Sequence, residues 1–181
     1  MSNLSEKYFL NISKVLKSIS KTKINLLVSE IHKLKKNNKK LFICGNGGSA
    51  ANAIHVANDF LFTKLSNKKM INVEALTSNN AIITCIANDV GYKYIFSKQL
   101  ENKGSTNDML LIFSGSGNSE NLIEAIKVAK KKKMKIFAIL GFDGGLCKRL
   151  LKNYVHVNIN DMQISEDFQL IIGHIILKSL V

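Results

Sequence analysis

The sequence predicts an α/β protein: a three-layer αβα sandwich with a five-stranded parallel sheet of flavodoxin-like type, preceded by a pair of helices. Two observations carry this. Short, near-continuous apolar runs alternate with segments of helical periodicity, as in strands covered by helices on both faces. Glycine- and serine-rich turns follow the first and third runs, at the strand ends where such sheets bind ligands.

The elements follow in order. Residues 1–38 show helical spacing twice, through Leu4, Tyr8, Phe9, Ile12, Val15, Leu16 and Ile19, then through Ile24, Leu27, Val28, Ile31 and Leu34. "LFICG" at 41–45 is the first strand, and a helix runs from about Ser49 to Phe62. "INVEAL" at 71–76 is the second strand, with helical segments over 79–87 and 93–102. "DMLLIFSGSGNS" at 108–119 holds the third strand and the second glycine–serine turn, before the helix "ENLIEAIKVAKKKK". "MKIFAILGFDGG" supplies a fourth strand and its turn, "YVHVNI" a fifth, and an amphipathic helix runs from about Met162 to the C-terminus.

Composition narrows the function classes. A chain of 181 residues, 46% apolar and without proline, is long enough for one domain with a full core and shows no linker, so 1–181 is expected to be a single domain. Its apolar stretches fall short of the roughly 20 residues that span a bilayer, and residues 1–14 lack the apolar core of a secretory signal. A cytoplasmic protein is expected, with no membrane partner. Cys44, Cys85 and Cys147 are widely spaced in apolar or helical contexts and are expected to be reduced, buried packing residues. The net charge of +13 comes from scattered lysines with a single arginine, Arg149. The run "KKKK" at 130–133 closes a predicted helix, where cations suit the dipole and water. No aromatic residues interleave with the basic runs, so the charge reads as a solvated surface rather than a nucleic-acid site.

Both glycine–serine turns suit an anion. Gly45, Gly47 and Gly48 allow positive φ and close approach of a ligand to the backbone. Ser49 is expected to cap the following helix, whose first N–H groups and dipole attract negative charge. In the second turn Ser114, Ser116 and Ser119 offer hydroxyls, Gly115 and Gly117 open the backbone, and Asn118 or Ser119 is expected to cap the next helix. Neither turn has the lysine of a Walker A loop or the spacing of a dinucleotide fingerprint. Hydroxyls without lysine suit a phosphate monoester on a small molecule, and no nucleotide cofactor is expected.

A polar constellation accompanies the turns. His55 and Asp59, four apart, share one helix face. In the last helix Glu166 and His174 are eight apart, within about 80° of one another around the axis. Asp167 lies closer to His174 in angle, so the helix alone does not choose between the two acids. His174 sits in "LIIGHIILKSL", where a lone histidine is more often a core residue. A carboxylate and a histidine together can serve as base and acid in a proton-transfer isomerisation, because their pKa values can be tuned towards neutrality.

The strings "CGNGGSAANAIHVANDF", "AIANDVGY", "FSGSGNSENLIEAIKVAK" and "LGFDGG", in this order and spacing, resemble the sugar-isomerase (SIS) fold. Within it they most resemble the phosphoheptose isomerases, and the likeness covers nearly the whole chain. The resemblance implies aldose–ketose isomerisation of sedoheptulose 7-phosphate to D-glycero-D-manno-heptose 7-phosphate through a cis-enediol. It implies that Asn46, Gly47, Gly48 and Ser49, with Asn88 and Asp89, contact the phosphorylated sugar. Ser114, Gly115, Ser116 and Ser119 are implied to hold the phosphate. It further implies a zinc ion at His55, Asp59, Glu166 and His174, with Asp59 or Glu166 as base and His174 as acid. A homotetramer with active sites at subunit interfaces is implied too, residues 1–38 serving in packing and assembly.

Three positions depart from the family pattern. Asp59 stands where glutamate is usual, Glu166 where glutamine is usual, and Gly115 where threonine is usual between the phosphate serines. Two other readings use the same motifs. One is an isomerase of the same fold for a different sugar phosphate. The other is a non-catalytic binding protein of the type associated with the replication initiator.

Overall fold

The computed structural model describes residues 3–62 and 70–181. A helical pair, α1 (Leu4–Ser18) and α2 (Lys21–Lys36), precedes strand β1 (Lys40–Cys44) and helix α3 (Gly48–Leu61). Then come β2 (Asn72–Ala75), α4 (Asn80–Asp89), a 3₁₀ turn at Tyr92–Tyr94 and α5 (Ser97–Lys103). The second half runs β3 (Met109–Ser114), α6 (Glu120–Lys131), β4 (Lys135–Leu140), α7 (Gly145–Leu150), β5 (Tyr154–His156) and α8 (Met162–Leu180).

The five strands form one parallel sheet in the order β2-β1-β3-β4-β5. Alternate strand residues feed two cores. Leu41, Ile43, Leu111, Phe113 and Ile139 pack with α2, α3 and α8 on one face. Phe42, Cys44, Leu110, Ile112 and Leu140 pack with α4–α7 on the other. Burial on both faces is why these strands read as continuous apolar runs.

The strand order has a functional consequence. From β1 the chain first adds β2 on one side and then β3 on the other, so the winding reverses between β1 and β3. The carboxyl ends of those two strands carry the two glycine–serine turns, at the crevice where doubly wound sheets take ligands.

Several boundaries differ from expectation. Residues 93–102 divide into the 3₁₀ turn and α5, and β5 spans only the first half of "YVHVNI". Helix α7 was not expected; it is too short to show a period. Cys44 and Cys147 are buried, and burial pushes both thiols up, Cys147 to about 11. Cys85 corrects the expectation: it is exposed on α4, where its S–H faces the Asp89 carboxylate at 3.5 Å. The apolar residues around it in "AIITCIAND" serve a helix that buries only Ile86 fully.

Candidate active site

The site is built on two helices that start at the same edge of the sheet. Helices α3 and α8 run side by side in the same direction, tied by contacts of nearly constant offset. Near their N-termini the Glu166 carboxylate lies against Gly48, where a Cβ would strike it. One turn on, Asn52 Nδ2 donates to the Glu166 carbonyl and to Gln169 Oε1, both at 3.0 Å. Gln169 Nε2 in turn donates to Ser49 Oγ at 2.9 Å. Further along, Gly173 passes so close to Val56 that an added Cβ would lie 2.6 Å from Val56 Cγ2. Beyond that crossing, His55 Nε2 and His174 Nε2 stand 3.2 Å apart.

The first focus is a cleft of about 330 Å³ between the two turns. It is lined by Asn46, Gly47, Gly48, Ser49 and Phe113 on one side, Ser114, Gly115, Ser116 and Ser119 on the other, and Met162 and Glu166 from α8. Gly47, at φ 54°, lets the chain turn from β1 into α3 in a conformation that side chains resist. Ser49 does not cap α3 as expected; Gly47 holds the cap position, and the Ser49 hydroxyl is engaged by Gln169 instead. Ser119 is the N-cap residue of α6 but makes no side-chain capping bond. Asn118 Oδ1 accepts from the Leu146 N–H, joining the second turn to α7. Met162 packs where a side chain on residue 115 would go, its Cε 2.9 Å from the position a Cβ there would take, so Met162 fills the space that a larger residue at 115 would need.

The second focus lies on the outer face of the same helix pair. His55, Asp59 and His174 can each bring one ligand atom within 4.8 Å of the others. Asp59 Oδ2 stands 3.4 Å from His55 Nε2 and 3.7 Å from His174 Nε2. The histidine side chains are 49% and 48% exposed, which removes the core reading of His174. Two imidazoles and a carboxylate at this spacing match the donor chemistry of a borderline metal ion such as zinc. Glu166 is not part of the cluster. It stands eight residues before His174, about 12 Å along α8, beside the glycine–serine cleft. Asp167, the alternative acid, is committed elsewhere: it accepts a 2.6 Å hydrogen bond from Tyr8 and ties α1 to α8.

Asn88 and Asp89 are exposed at the end of α4 and do not line the cleft. Tyr92, three residues beyond Asp89, reaches it, donating to Asn46 Oδ1 at 3.1 Å. Asn46 is also held in a reciprocal amide pair with buried Asn121, at 2.8 and 2.9 Å. Asn52, Tyr92, Asn121, Met162 and Gln169 were not singled out from sequence. Gln169 alone carried a signal, as an uncharged polar residue inside an apolar helix, three after Glu166.

Comparison with known proteins fits this architecture. The family described as SIS domain matches residues 7–141, and the chain belongs to it. Within that family it groups with the phosphoheptose isomerases. It is 36% identical over 140 residues to the phosphoheptose isomerase of Aneurinibacillus thermoaerophilus, covering 77% of this chain and 71% of that one. It is 33% identical over 177 residues to the Helicobacter pylori phosphoheptose isomerase, covering 96% and 92%. The solved phosphoheptose isomerase GmhA from Neisseria gonorrhoeae superposes with a TM-score of 0.86 at 28% identity, over 98% of both chains.

Proposed function

We propose that the protein is an aldose–ketose isomerase of phosphorylated sugars, interconverting sedoheptulose 7-phosphate and D-glycero-D-manno-heptose 7-phosphate. One observation carries the reading. A hydroxyl-lined anion cleft and an imidazole–carboxylate cluster sit on the same two parallel helices, Gly48 and His55 being about 10 Å apart along α3. An extended heptulose phosphate bridges that gap with its phosphate in the cleft, whereas a triose phosphate is too short.

In this reading Ser114, Gly115, Ser116 and Ser119, with the N–H groups opening α3 at Gly47, Gly48 and Ser49, hold the phosphate. Asn46 contacts sugar hydroxyls, and Asn88 and Asp89 do so from their exposed helix end. The phosphate supplies binding energy remote from the reacting carbons and orients them. Asp59 takes the proton from the carbon beside the carbonyl, since it faces His174, and His174 delivers a proton to the oxygen. Glu166 contacts the substrate between the two foci. His55, Asp59 and His174 would hold a zinc ion, while Glu166, the fourth ligand expected from sequence, stands apart from them beside the cleft. Bound there, zinc would polarise the substrate's carbonyl and hydroxyl oxygens as a Lewis acid.

Assembly belongs to the same reading. Ile54, Ile171 and Ile175 are exposed beside the histidine pair, and Leu4, Phe9, Leu10 and Leu16 are exposed on α1. Such apolar surface suits coverage by further copies of the chain, in a homotetramer whose subunits complete one another's sites. Among the described residues no helix is long and apolar enough to cross a membrane. We place the enzyme in the cytoplasm, as a single domain.

The test is turnover of sedoheptulose 7-phosphate by zinc-supplied protein, followed by NMR, with His174→Ala and Glu166→Gln alongside. Aldose formation that vanishes in His174→Ala supports the proposal. Thermal protection by the sugar phosphate without turnover points to a different phosphosugar or a binding role, and the absence of both turnover and protection overturns the assignment.

A further inference from the structure

The hydrogen-bond pattern around the cleft engages a lone pair on each of three serine hydroxyls. Asn52 Nδ2 donates to the backbone carbonyl of Glu166, a group that can only accept. That settles the orientation of the Asn52 amide. Because the same Nδ2 also faces Gln169, the atom it meets must be the carbonyl oxygen, Oε1. The other end of the Gln169 amide, Nε2, is therefore the atom that faces Ser49, and it donates to Oγ. Gln169 is only 1% exposed, so this arrangement is shielded from bulk solvent.

The other turn does the same by different means. Ser114 Oγ accepts from the Gly117 N–H at 2.9 Å, and Ser116 Oγ accepts from the Asn118 N–H at 3.3 Å. Each of the three hydroxyls thus has a lone pair engaged by a donor of the protein, while all three residues line the cleft. A hydroxyl carries one proton, and with a lone pair already engaged each keeps that proton available for a ligand in the cleft. Three donors aimed at one space suit an anion and disfavour a cation.

We propose that Gln169 is a positioning residue of the phosphate site: through Asn52 and the Glu166 carbonyl it holds the Ser49 hydroxyl as a proton donor to the bound phosphate. This deepens the phosphosugar reading and rests on the cleft being the phosphate subsite. The decisive variant is Gln169→Glu, which keeps the size of the side chain and, measured at a pH where it is ionised, presents only acceptors. Ser49 must then donate its proton to residue 169 and loses it for the ligand.

Inorganic phosphate is the probe, its binding to the intact protein measured by calorimetry, with thermal melting as the check on folding. Charge-assisted hydrogen bonds are the strong class, so Ser49→Ala is expected to weaken binding about tenfold, and Gln169→Glu at least as much. The KM for the sugar phosphate should rise in parallel while kcat changes little. In the Ser49→Ala background, Gln169→Glu should have little further effect, whereas simple charge repulsion would persist there. Unchanged phosphate binding in folded Gln169→Glu overturns the proposal, and so does an undiminished effect in the Ser49→Ala background. Should Gln169→Glu not fold, Gln169→Met decides, expected to weaken binding less than Ser49→Ala does and to have no effect in its background. A wild-type protein that binds no phosphate at millimolar concentration overturns instead the phosphate reading of the cleft.

Discussion

Gly173→Ala tests whether the spacing of α3 and α8 sets the catalytic geometry. A Cβ at 173 would sit 2.6 Å from Val56 Cγ2, with Cγ1 at 3.5 Å and Cβ at 3.7 Å. Non-bonded carbons settle at about 3.5–4.0 Å, so the helices must part by roughly 1 Å at this crossing. Val56 cannot turn away cheaply, because a β-branched side chain in a helix has one strongly preferred rotamer. The overpacking costs about 1–3 kcal/mol, offset by about 1 kcal/mol of helix propensity gained on replacing glycine, leaving a net loss of about 0–2 kcal/mol. For a chain of this size that is a fall in Tm of several degrees at most. Activity should suffer far more, since His55 and His174 are the immediate neighbours of the two clashing residues, and a displacement near 1 Å can cost about a hundredfold in rate. The assay is kcat for the sugar phosphate beside a melting curve. Val56→Ala added to Gly173→Ala removes the clash and should restore most of the rate, while itself costing about 2 kcal/mol of lost burial. A Gly173→Ala protein with wild-type kcat, or a double variant no faster than the single, would refute the reasoning.

Three further outcomes are expected. Ser114→Ala should lower stability by about 1–3 kcal/mol in urea titration, because it strips the partner from the buried Gly117 N–H, whereas Ser116→Ala, whose bond is longer and more exposed, should leave stability near wild type. Tyr8 should ionise near pH 12: its hydrogen bond to Asp167, then burial and the Asp167 charge, raise it from 10.0, so its contribution to stability is present below pH 10 and is lost as pH rises through 12. Ultraviolet titration of tyrosinate absorbance should show this step move down towards 10 in Asp167→Asn. Glu74 is raised by burial but lowered more by hydrogen bonds from Lys103 and Lys40, so its folded pKa lies below 4.5. Its stabilising contribution is present above that pH and disappears as pH falls through the folded value, so Glu74→Gln should flatten the acid limb of stability measured against pH.

Local periodicity alone determined much of this protein. Runs such as "LFICG" and "DMLLIF" are apolar on both faces because helices cover both faces of the sheet, and that pattern needs no tertiary knowledge to read. The placing of two glycine–serine turns at strand-to-helix junctions was equally legible, since it is written in the local sequence. The helix pairing of His55 with Asp59 follows from a spacing of four.

What tertiary structure alone decided were relations between segments far apart in the chain. The order β2-β1-β3-β4-β5 brings together the ends of β1 and β3, which no local pattern encodes. The parallel seating of α8 on α3 places Glu166 against Gly48 and His174 against His55, 118 and 119 residues apart in the chain. It also separates Glu166 from the histidines, where the helical angle alone had grouped them. Ser49 shows the same limit at the scale of one hydroxyl: its sequence neighbours suggest a cap, but Gln169, 120 residues away, claims its lone pair. Hydrogen bonds and close packing act over a few ångströms of space, so their partners are set by how the helices dock and not by distance along the chain.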